Sequence, residues 1–171
     1  MDLAGFIRDV PDFPTDGIIF KDITPLLADP AALDEAVRQL AAPYRDRGVQ
    51  IVTGVESRGF IFAAAVAREL GAGFVPIRKP GKLPRQTVRA EYELEYGSDA
   101  VEMHVDAVGA GTKVLMVDDL LATGGTMAAA CGLVAGRGAE IVGVAFVIEL
   151  CFLNGREKLG GHDVRALIEV Q

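Results

Sequence analysis

Residues 114–126 read VLMVDDLLATGGT, and this stretch decides the fold. Residues 114–117 form a wholly apolar run without alternation, which is typical of a strand covered on both faces of a parallel sheet. Two acids, Asp118 and Asp119, follow at its expected carboxyl end. A Thr-Gly-Gly-Thr turn then leads into an apolar, alanine-rich helix predicted over residues 127–134. The order is therefore strand, acids, glycine turn, helix.

The glycine turn is suited to binding a phosphate. Gly124 and Gly125 can adopt backbone conformations closed to other residues and let a ligand approach the chain closely. Their amides converge with those of the first helical turn at the positive end of the helix dipole, and the hydroxyls of Thr123 and Thr126 add donors. The paired carboxylates instead favour sugar hydroxyls or a divalent cation. Together these features describe a ribose 5-phosphate site; the alternative is a tight connection with solvated aspartates.

Other phosphate loops do not fit this turn. The chain contains no Gly-Lys-Ser or Gly-Lys-Thr, and the pattern G-x-G-x-x-G is absent from the turn. The run DDLLATGGT after an apolar strand resembles the phosphoribosyl pyrophosphate (PRPP) binding motif of type I phosphoribosyltransferases, and most of all that of the adenine phosphoribosyltransferases. The resemblance covers about residues 13–159.

The resemblance implies a fold and an activity. The expected fold is one doubly wound, Rossmann-like α/β domain over residues 1–171, built on a parallel sheet. It would carry a small N-terminal hood over about residues 1–30 and a flexible hairpin loop over about residues 78–105. The expected reaction is adenine plus PRPP giving AMP plus pyrophosphate, which is a step of purine salvage.

Composition agrees with a single globular domain. The chain has 171 residues, of which 50% are hydrophobic and 24% charged. No apolar run approaches the ~20 residues of a membrane span, and the N-terminus lacks the basic start of a secretory signal, so a cytoplasmic protein is expected. The net charge of -7 argues against nucleic acid as the main partner. Cys131 and Cys151 are predicted to be buried hydrophobes, and His104 and His162 fit no ligand or triad spacing.

A second strand, predicted over residues 51–55, ends in ESRGF at residues 56–60. A helix over residues 60–70 and a strand over residues 74–77 follow, a rhythm that predicts parallel crossovers. Arg58 at this strand end could hold pyrophosphate, because ligands bind beyond the carboxyl ends of parallel strands; a surface ion pair of Glu56 and Arg58 is the alternative. The resemblance implies that Glu56, Ser57 and Arg58 form a pyrophosphate-binding loop with a cis peptide bond between Glu56 and Ser57.

Residues 78–89 form a basic loop that contains no acid. Its five cations are Arg78, Lys79, Lys82, Arg85 and Arg89. Prolines and a glycine keep much of it irregular, which favours a lid over a polyanion such as pyrophosphate; a solvated surface loop is the alternative. The resemblance implies pyrophosphate contacts from Arg78 and Lys79, and a homodimer in which one such residue reaches the neighbouring subunit's site. Lys82, Arg85 and Tyr96 are assigned to the lid.

The base site is implied by resemblance alone. Residues 88–96 alternate between polar and apolar, which predicts a hairpin strand paired with residues 101–105. By resemblance, Glu95 in this strand approaches the purine as general base, and Tyr96 closes the site. Phe20 by itself would be predicted as a core residue, whereas the resemblance places Ile19, Phe20 and Lys21 against adenine.

The remaining elements follow from local patterns. Asp29-Pro30 predicts the start of a helix that buries Leu33, Val37 and Leu40 and ends near Pro43. Strands are also predicted over residues 141–150 and 164–168, with a short polar helix over residues 154–159 between them.

The implied chemistry is displacement at the anomeric carbon through an oxocarbenium-like state, which needs a stabilised leaving group. Mg²⁺, carried mainly by PRPP and not held directly by side chains, would neutralise the departing pyrophosphate together with Arg58, Lys79 and Arg78. Asp118 and Asp119 would hold the ribose hydroxyls, and Glu95 would accept the proton that adenine loses. The 5-phosphate is assigned to Ala122, Thr123, Gly124, Gly125 and Thr126. A sister enzyme for another purine, a PRPP-binding regulator and a structural module remain alternatives.

Overall fold

The computed structural model describes residues 1–94 and 96–171. Its strands are β1 (Arg8–Pro11), β2 (Ile19–Asp22), β3 (Ile51–Val55), β4 (Gly73–Ile77), β5 (Thr87–Glu93), β6 (Ser98–His104), β7 (Lys113–Leu121), β8 (Glu140–Leu150) and β9 (Val164–Val170). Its α-helices are α1 (Thr24–Ala28), α2 (Pro30–Ala41), α3 (Arg58–Leu70) and α4 (Gly125–Gly136). Short 3₁₀ helices lie at Ala4–Phe6, Ala42–Tyr44, Cys151–Leu153 and Gly155–Leu159. None of the helices in the described part of the chain is long and apolar enough to span a bilayer.

A five-stranded parallel sheet forms the centre, in the order β4-β3-β7-β8-β9. After β3 the chain moves outward to β4, whereas after β7 it moves outward in the other direction to β8. The strand order therefore reverses between β3 and β7. In such sheets this reversal opens a crevice at the carboxyl ends of the strands, where ligands bind.

Helices cover both faces of the sheet, which confirms the predicted doubly wound α/β fold. Leu115 and Val117 of β7 pack in one core cluster with residues of α2 and α3. Val114 and Met116 pack in a second cluster with α4 and the β5–β6 hairpin. Successive side chains of residues 114–117 thus enter the two core clusters in turn. Because both faces of the strand are buried, the run is apolar without a break.

Two small antiparallel sheets accompany the central one. β1 pairs with β2, and these two strands are called the hood below. β5 pairs with β6 to form the hairpin. The helix predicted after Asp29 is present, and the Asp29 carboxylate caps it by accepting from the amides of Ala31 and Ala32 at 3.0 and 2.8 Å. It ends before Pro43, as predicted.

Several predicted boundaries were wrong. β7 continues through both acids to Leu121, because β8 is long enough to pair with it up to Glu149. The hairpin strand predicted to reach residue 96 ends at Glu93. α3 begins at Arg58 and α4 at Gly125, each two residues earlier than predicted, so site residues belong to first helical turns. Cys131 is buried as predicted, but Cys151 is only half-buried, at the start of a 3₁₀ helix.

Candidate active site

A cavity of about 300 Å³ lies at the carboxyl ends of β3 and β7, where the strand order reverses. The lining includes the sequence-predicted residues Glu56, Ser57, Arg58, Lys79, Asp118, Asp119, Ala122, Thr123, Gly124, Gly125 and Thr126. Val55, Leu121, Met127 and Phe146 add apolar wall. The ESRGF loop and the glycine turn, which are separated by about sixty residues of sequence, therefore form one site.

The phosphate turn, residues 122–126, has the backbone geometry that an anion site needs. Gly124 has a φ of +81°, which residues with side chains rarely adopt, and α4 begins at Gly125 directly after it. Gly124 accepts the first helical hydrogen bond from the amide of Ala128 at 2.9 Å. The amides of the residues before Ala128 have no intrahelical partner, because they belong to the first turn of α4. They lie at the positive end of the helix dipole. Gly124 also has no side chain that could cap them.

Arg58 links the paired acids of the cavity to the hood. Its guanidinium forms an ion pair with the buried carboxylate of Asp119. It also donates to the carbonyl oxygen of Lys21 at 3.4 Å, and its Cζ atom lies 5.0 Å from the centre of the Phe20 ring. A cation over an aromatic face is attracted by the ring quadrupole. One side chain thus connects β7, α3 and β2.

Asp118 is held differently from its neighbour. Burial, and next the adjacent Asp119 carboxylate, raise the pKa of Asp118 well above its usual range. Its Oδ1 atom accepts from the Asp119 amide at 2.9 Å, and a Cβ atom on Gly59 would lie only 2.5 Å from that oxygen. Glycine at residue 59 therefore makes room for the acid. The raised pKa means that the Asp118 carboxyl group favours its protonated form.

Lys79 reaches from the basic loop to the hairpin. Its ammonium donates to the Tyr92 hydroxyl at 2.7 Å and forms an ion pair with Asp99. Partial burial alone would lower the pKa of Lys79, but the bonds to Asp99 and Tyr92 raise it above its usual value. The same bond from Lys79 is the main reason why the pKa of Asp99 is lowered. The lysine is therefore positively charged at the edge of the cavity.

Glu56 anchors the basic loop to the end of β3. One oxygen accepts from the Lys79 amide at 2.5 Å and lies 3.5 Å from Arg78 Nε, and the other accepts from Lys82 Nζ at 2.7 Å. Burial alone would raise the pKa of Glu56, but these cationic and amide donors outweigh it and lower the pKa. The peptide bond between Glu56 and Ser57 is cis, as the resemblance implied.

The Glu56 anchor should respond to acid. Because its pKa is lowered in the folded protein, the ionised Glu56 carboxylate stabilises the fold. This stabilisation is fully present above the pKa of an unfolded glutamate, about 4.3, and is lost as pH falls through the pKa of the folded state. We expect an NMR titration of the Glu56 carboxyl to give a pKa below that of free glutamate, and Lys82→Ala to move it upward. Arg85→Ala is the matched control, because Arg85 pairs with Asp106 instead. An unshifted Glu56 pKa in the unsubstituted protein would contradict this prediction.

Some predicted site residues lie outside the cavity lining. Phe20 is half-buried, with Arg58 over its ring and Phe13 edge-on to it at 5.2 Å between ring centres. The prediction of a core residue from its local pattern alone was therefore wrong. The other residues outside the lining are Ile19, Lys21, Arg78, Lys82, Arg85 and Tyr96. Ile19 is 56% exposed and Tyr96 is 89% exposed. Glu95 is the one predicted site residue that falls outside the described part of the chain.

Sequence reasoning missed the partners that hold the site together. Asp99 and Tyr92 were not assigned to Lys79, because that contact depends on the register of the hairpin, in which Tyr92 faces Asp99. Gly59 was read only as part of the ESRGF run, although its missing side chain admits Asp118. The available signal was the alternation of the hairpin, which places Tyr92 on the inward face.

Comparison with known proteins agrees with this geometry. Residues 23–163 match the model of the phosphoribosyl transferase domain. An adenine phosphoribosyltransferase from Solibacter usitatus is 57% identical over 98% of this chain and 97% of its own length. The chain belongs to the adenine phosphoribosyltransferase family.

Crystal structures from this family have the same fold. The adenine phosphoribosyltransferase of Thermoanaerobacter pseudethanolicus superposes with a TM-score of 0.96 at 49% identity, covering 99% of this chain and 98% of its own. The Saccharomyces cerevisiae enzyme, in complex with D-2,5-dideoxy-2,5-imino-altritol 1,6-bisphosphate and adenine, superposes with a TM-score of 0.91 at 42% identity, covering 97% and 96%. This chain therefore shares its fold with a yeast enzyme that was crystallised with a bisphosphate and adenine.

Proposed function

We propose that this chain transfers the 5-phosphoribosyl group of PRPP to adenine, giving AMP and pyrophosphate in purine salvage. The bond from the anomeric carbon to pyrophosphate breaks with its electron pair on the leaving oxygen, a bond to the adenine nitrogen forms, and adenine loses a proton. Membership of the family supports this reaction. The observation that carries it for these residues is that the phosphate turn, the paired acids and the ESRGF loop line one cavity.

The ribose 5-phosphate is assigned to the phosphate turn and the paired acids. Open amides at the start of α4 favour a phosphoryl group, because they provide donors and the positive end of a dipole. Asp119 would accept from one ribose hydroxyl, while Asp118, whose pKa is raised, can both donate and accept. The two acids therefore suit two neighbouring hydroxyl groups.

Pyrophosphate is assigned to the opposite wall, formed by residues 56–58 and the basic loop. Arg58 can donate in a fork to phosphate oxygens, and Lys79 adds a point charge. Arg78 lies against Glu56 just outside the lining and completes the cationic side. Such charges stabilise the leaving group as negative charge develops on it. Closure of the basic loop, with Lys82, Arg85 and Tyr96, would exclude water from the oxocarbenium-like state.

Magnesium is proposed to reach the site on the substrate. Within the described residues, no group of three or more His, Cys, Asp and Glu side chains could hold a metal ion. Mg²⁺ commonly keeps several waters and binds through substrate phosphates, so it can arrive on PRPP without a site built from protein side chains. When bound it would supply charge neutralisation at the pyrophosphate.

The homodimer and the cytoplasmic location likewise stay predictions.

Phe20 is assigned to the base, with Ile19 and Lys21 beside it. Stacking of a base on an aromatic ring contributes about 1–3 kcal/mol. We therefore expect Phe20→Ala to raise KM for adenine about tenfold while KM for PRPP changes less than twofold, measured in initial-rate assays. An equal rise in both constants would show that Phe20 acts only through Arg58, whose guanidinium lies over its ring.

Glu95 is proposed as the general base. Removal of a positioned base costs about 10²–10⁴-fold in rate, so Glu95→Gln should lower kcat by at least about 100-fold. The matched control is Glu93→Gln, which changes an exposed glutamate at the end of β5. If the two variants turn over at the same rate, Glu95 is not the base.

The reaction itself is tested by mixing the protein with PRPP, Mg²⁺ and one purine at a time. We expect AMP from adenine, and slower turnover by at least about 100-fold with hypoxanthine, guanine or xanthine, whose ring edges differ in donors and acceptors. Preference for another purine would identify a sister enzyme. Binding of PRPP without any nucleotide product would identify a regulator, and failure to bind PRPP or AMP would leave a structural module.

A further inference from the structure

The segment after β8 packs directly behind the phosphate turn. A Cβ atom on Gly124 would lie 2.4 Å from the carbonyl oxygen of Gly155, and a Cβ atom on Gly155 would lie 2.4 Å from the carbonyl oxygen of Ala122. Real Cβ atoms do not approach other atoms so closely. The backbone at residue 155 is therefore the rear support of the turn, with no room for a methyl group on either side.

An ion pair between the buried Glu149 and the more exposed Arg156 fixes this support to the sheet. Arg156 follows Gly155, and its Nε atom donates to both carboxylate oxygens of Glu149 at 2.8 Å. Its Nη2 atom lies 2.6 Å from Glu149 Oε2, and its Nη1 atom donates to the carbonyl oxygen of Val164 at 2.7 Å. Glu149 is 4% exposed and stands opposite Leu121 in the β7–β8 ladder. A planar fork of this kind holds its partner in one orientation.

We infer that Glu149 and Arg156 are positioning residues for the ribose 5-phosphate, acting through Gly155 on the phosphate turn. This inference rests on the proposed function, since it needs the phosphate on that turn. Neither residue belongs to the cavity lining, so neither is a substrate contact. The chain of contacts runs from Glu149 through Arg156 and Gly155 to Gly124, from the sheet to the amides.

The pair should therefore affect recognition of the phosphate and not of the base. The hood, which carries Phe20, lies in a different small sheet and is joined to the cavity through Arg58. Loss of the fork frees the 3₁₀ helix at residues 155–159 to shift. Since a misplacement of about 1 Å can cost about 100-fold, a smaller shift of the amides should cost about tenfold. A role in general stability alone would weaken all ligands alike.

Calorimetric binding of AMP and adenosine separates these two cases, because the ligands differ only in the 5-phosphate. We expect Glu149→Gln and Arg156→Lys to weaken AMP binding about tenfold and leave adenosine binding within twofold. Arg47→Lys is the matched control. Arg47 also donates to a residue of β8, in its case to the carbonyl oxygen of Val142 at 2.9 Å, but at the other end of the strand. This variant should bind AMP as the unsubstituted protein does.

Gly155→Ala provides the same test without removing a buried charge partner. Its new Cβ atom would meet Ala122 directly, so AMP binding should fall again while adenosine binding holds. The inference is overturned if the folded variants keep the AMP-to-adenosine affinity ratio of the unsubstituted protein, or lose both ligands equally. A ratio near one in the unsubstituted protein would instead overturn the proposed phosphate site, and the inference with it.

Discussion

Asp119→Asn should lower kcat/KM for PRPP by about 100-fold. Asp119 is 6% exposed and pairs with Arg58, whose side chain is 31% exposed. The substitution removes the charged acceptor for a ribose hydroxyl, which also orients Arg58, and this loss costs about 1.5–3 kcal/mol of substrate binding. The upper end, about 3 kcal/mol, corresponds to about 100-fold in rate. Initial rates at varied PRPP measure it directly.

The control for this variant is Asp34→Asn. Asp34 also pairs with an arginine, Arg38, at 3.4 Å, but its side chain is 73% exposed on the surface of α2. Surface pairs contribute little, so this variant should keep full activity. If Asp119→Asn also keeps it, the buried acid neither holds a ribose hydroxyl nor orients Arg58, and our assignment of the acids is wrong.

Gly124→Ala should damage both binding and folding. An alanine at a φ of +81° costs about 1–2 kcal/mol, and its Cβ atom would lie 2.4 Å from the carbonyl oxygen of Gly155. Since that neighbour is backbone, the turn must shift and its amides leave their common point. We expect KM for PRPP to rise at least tenfold, and the free energy of unfolding to fall by about 2–4 kcal/mol in urea titrations.

Gly132→Ala is the matched control on the same helix. Gly132 lies in the interior of α4, and a Cβ atom there would meet nothing within 4 Å. Alanine in place of an interior helical glycine stabilises by about 0.5–1 kcal/mol, so this variant should be more stable and fully active. Equal behaviour of the two glycine variants would show that the conformation of the turn is unimportant.

Strands of the sheet were predicted well from the sequence where the apolar pattern of a single strand marks both of its ends. β3 was predicted with its observed bounds, because a buried five-residue run lies between polar segments. β7 was predicted too short, since the pattern breaks at Asp118 while the pairing to β8 continues. The hood strands were not predicted, because each is only four residues long and has no fully buried residue, so neither has a periodic pattern.

Site residues could likewise be predicted only where the local pattern of the sequence places them. Residues of the ESRGF loop and the phosphate turn could be brought together from sequence, because carboxyl ends of neighbouring parallel strands meet at one edge. The contacts of Arg58 with Phe20 and of Lys79 with Asp99 could not, since they join segments whose relative position depends on tertiary packing. The support by Gly155 was also invisible, because it is a backbone contact between segments about thirty residues apart.

A crystal structure of the protein with bound AMP tests the central claim most directly. We expect phosphate oxygens at hydrogen-bond distance, about 2.7–3.2 Å, from amides of residues 123–126, and the ribose hydroxyls on Asp118 and Asp119. A phosphate bound elsewhere, with those amides occupied by other groups of the protein, would contradict the account.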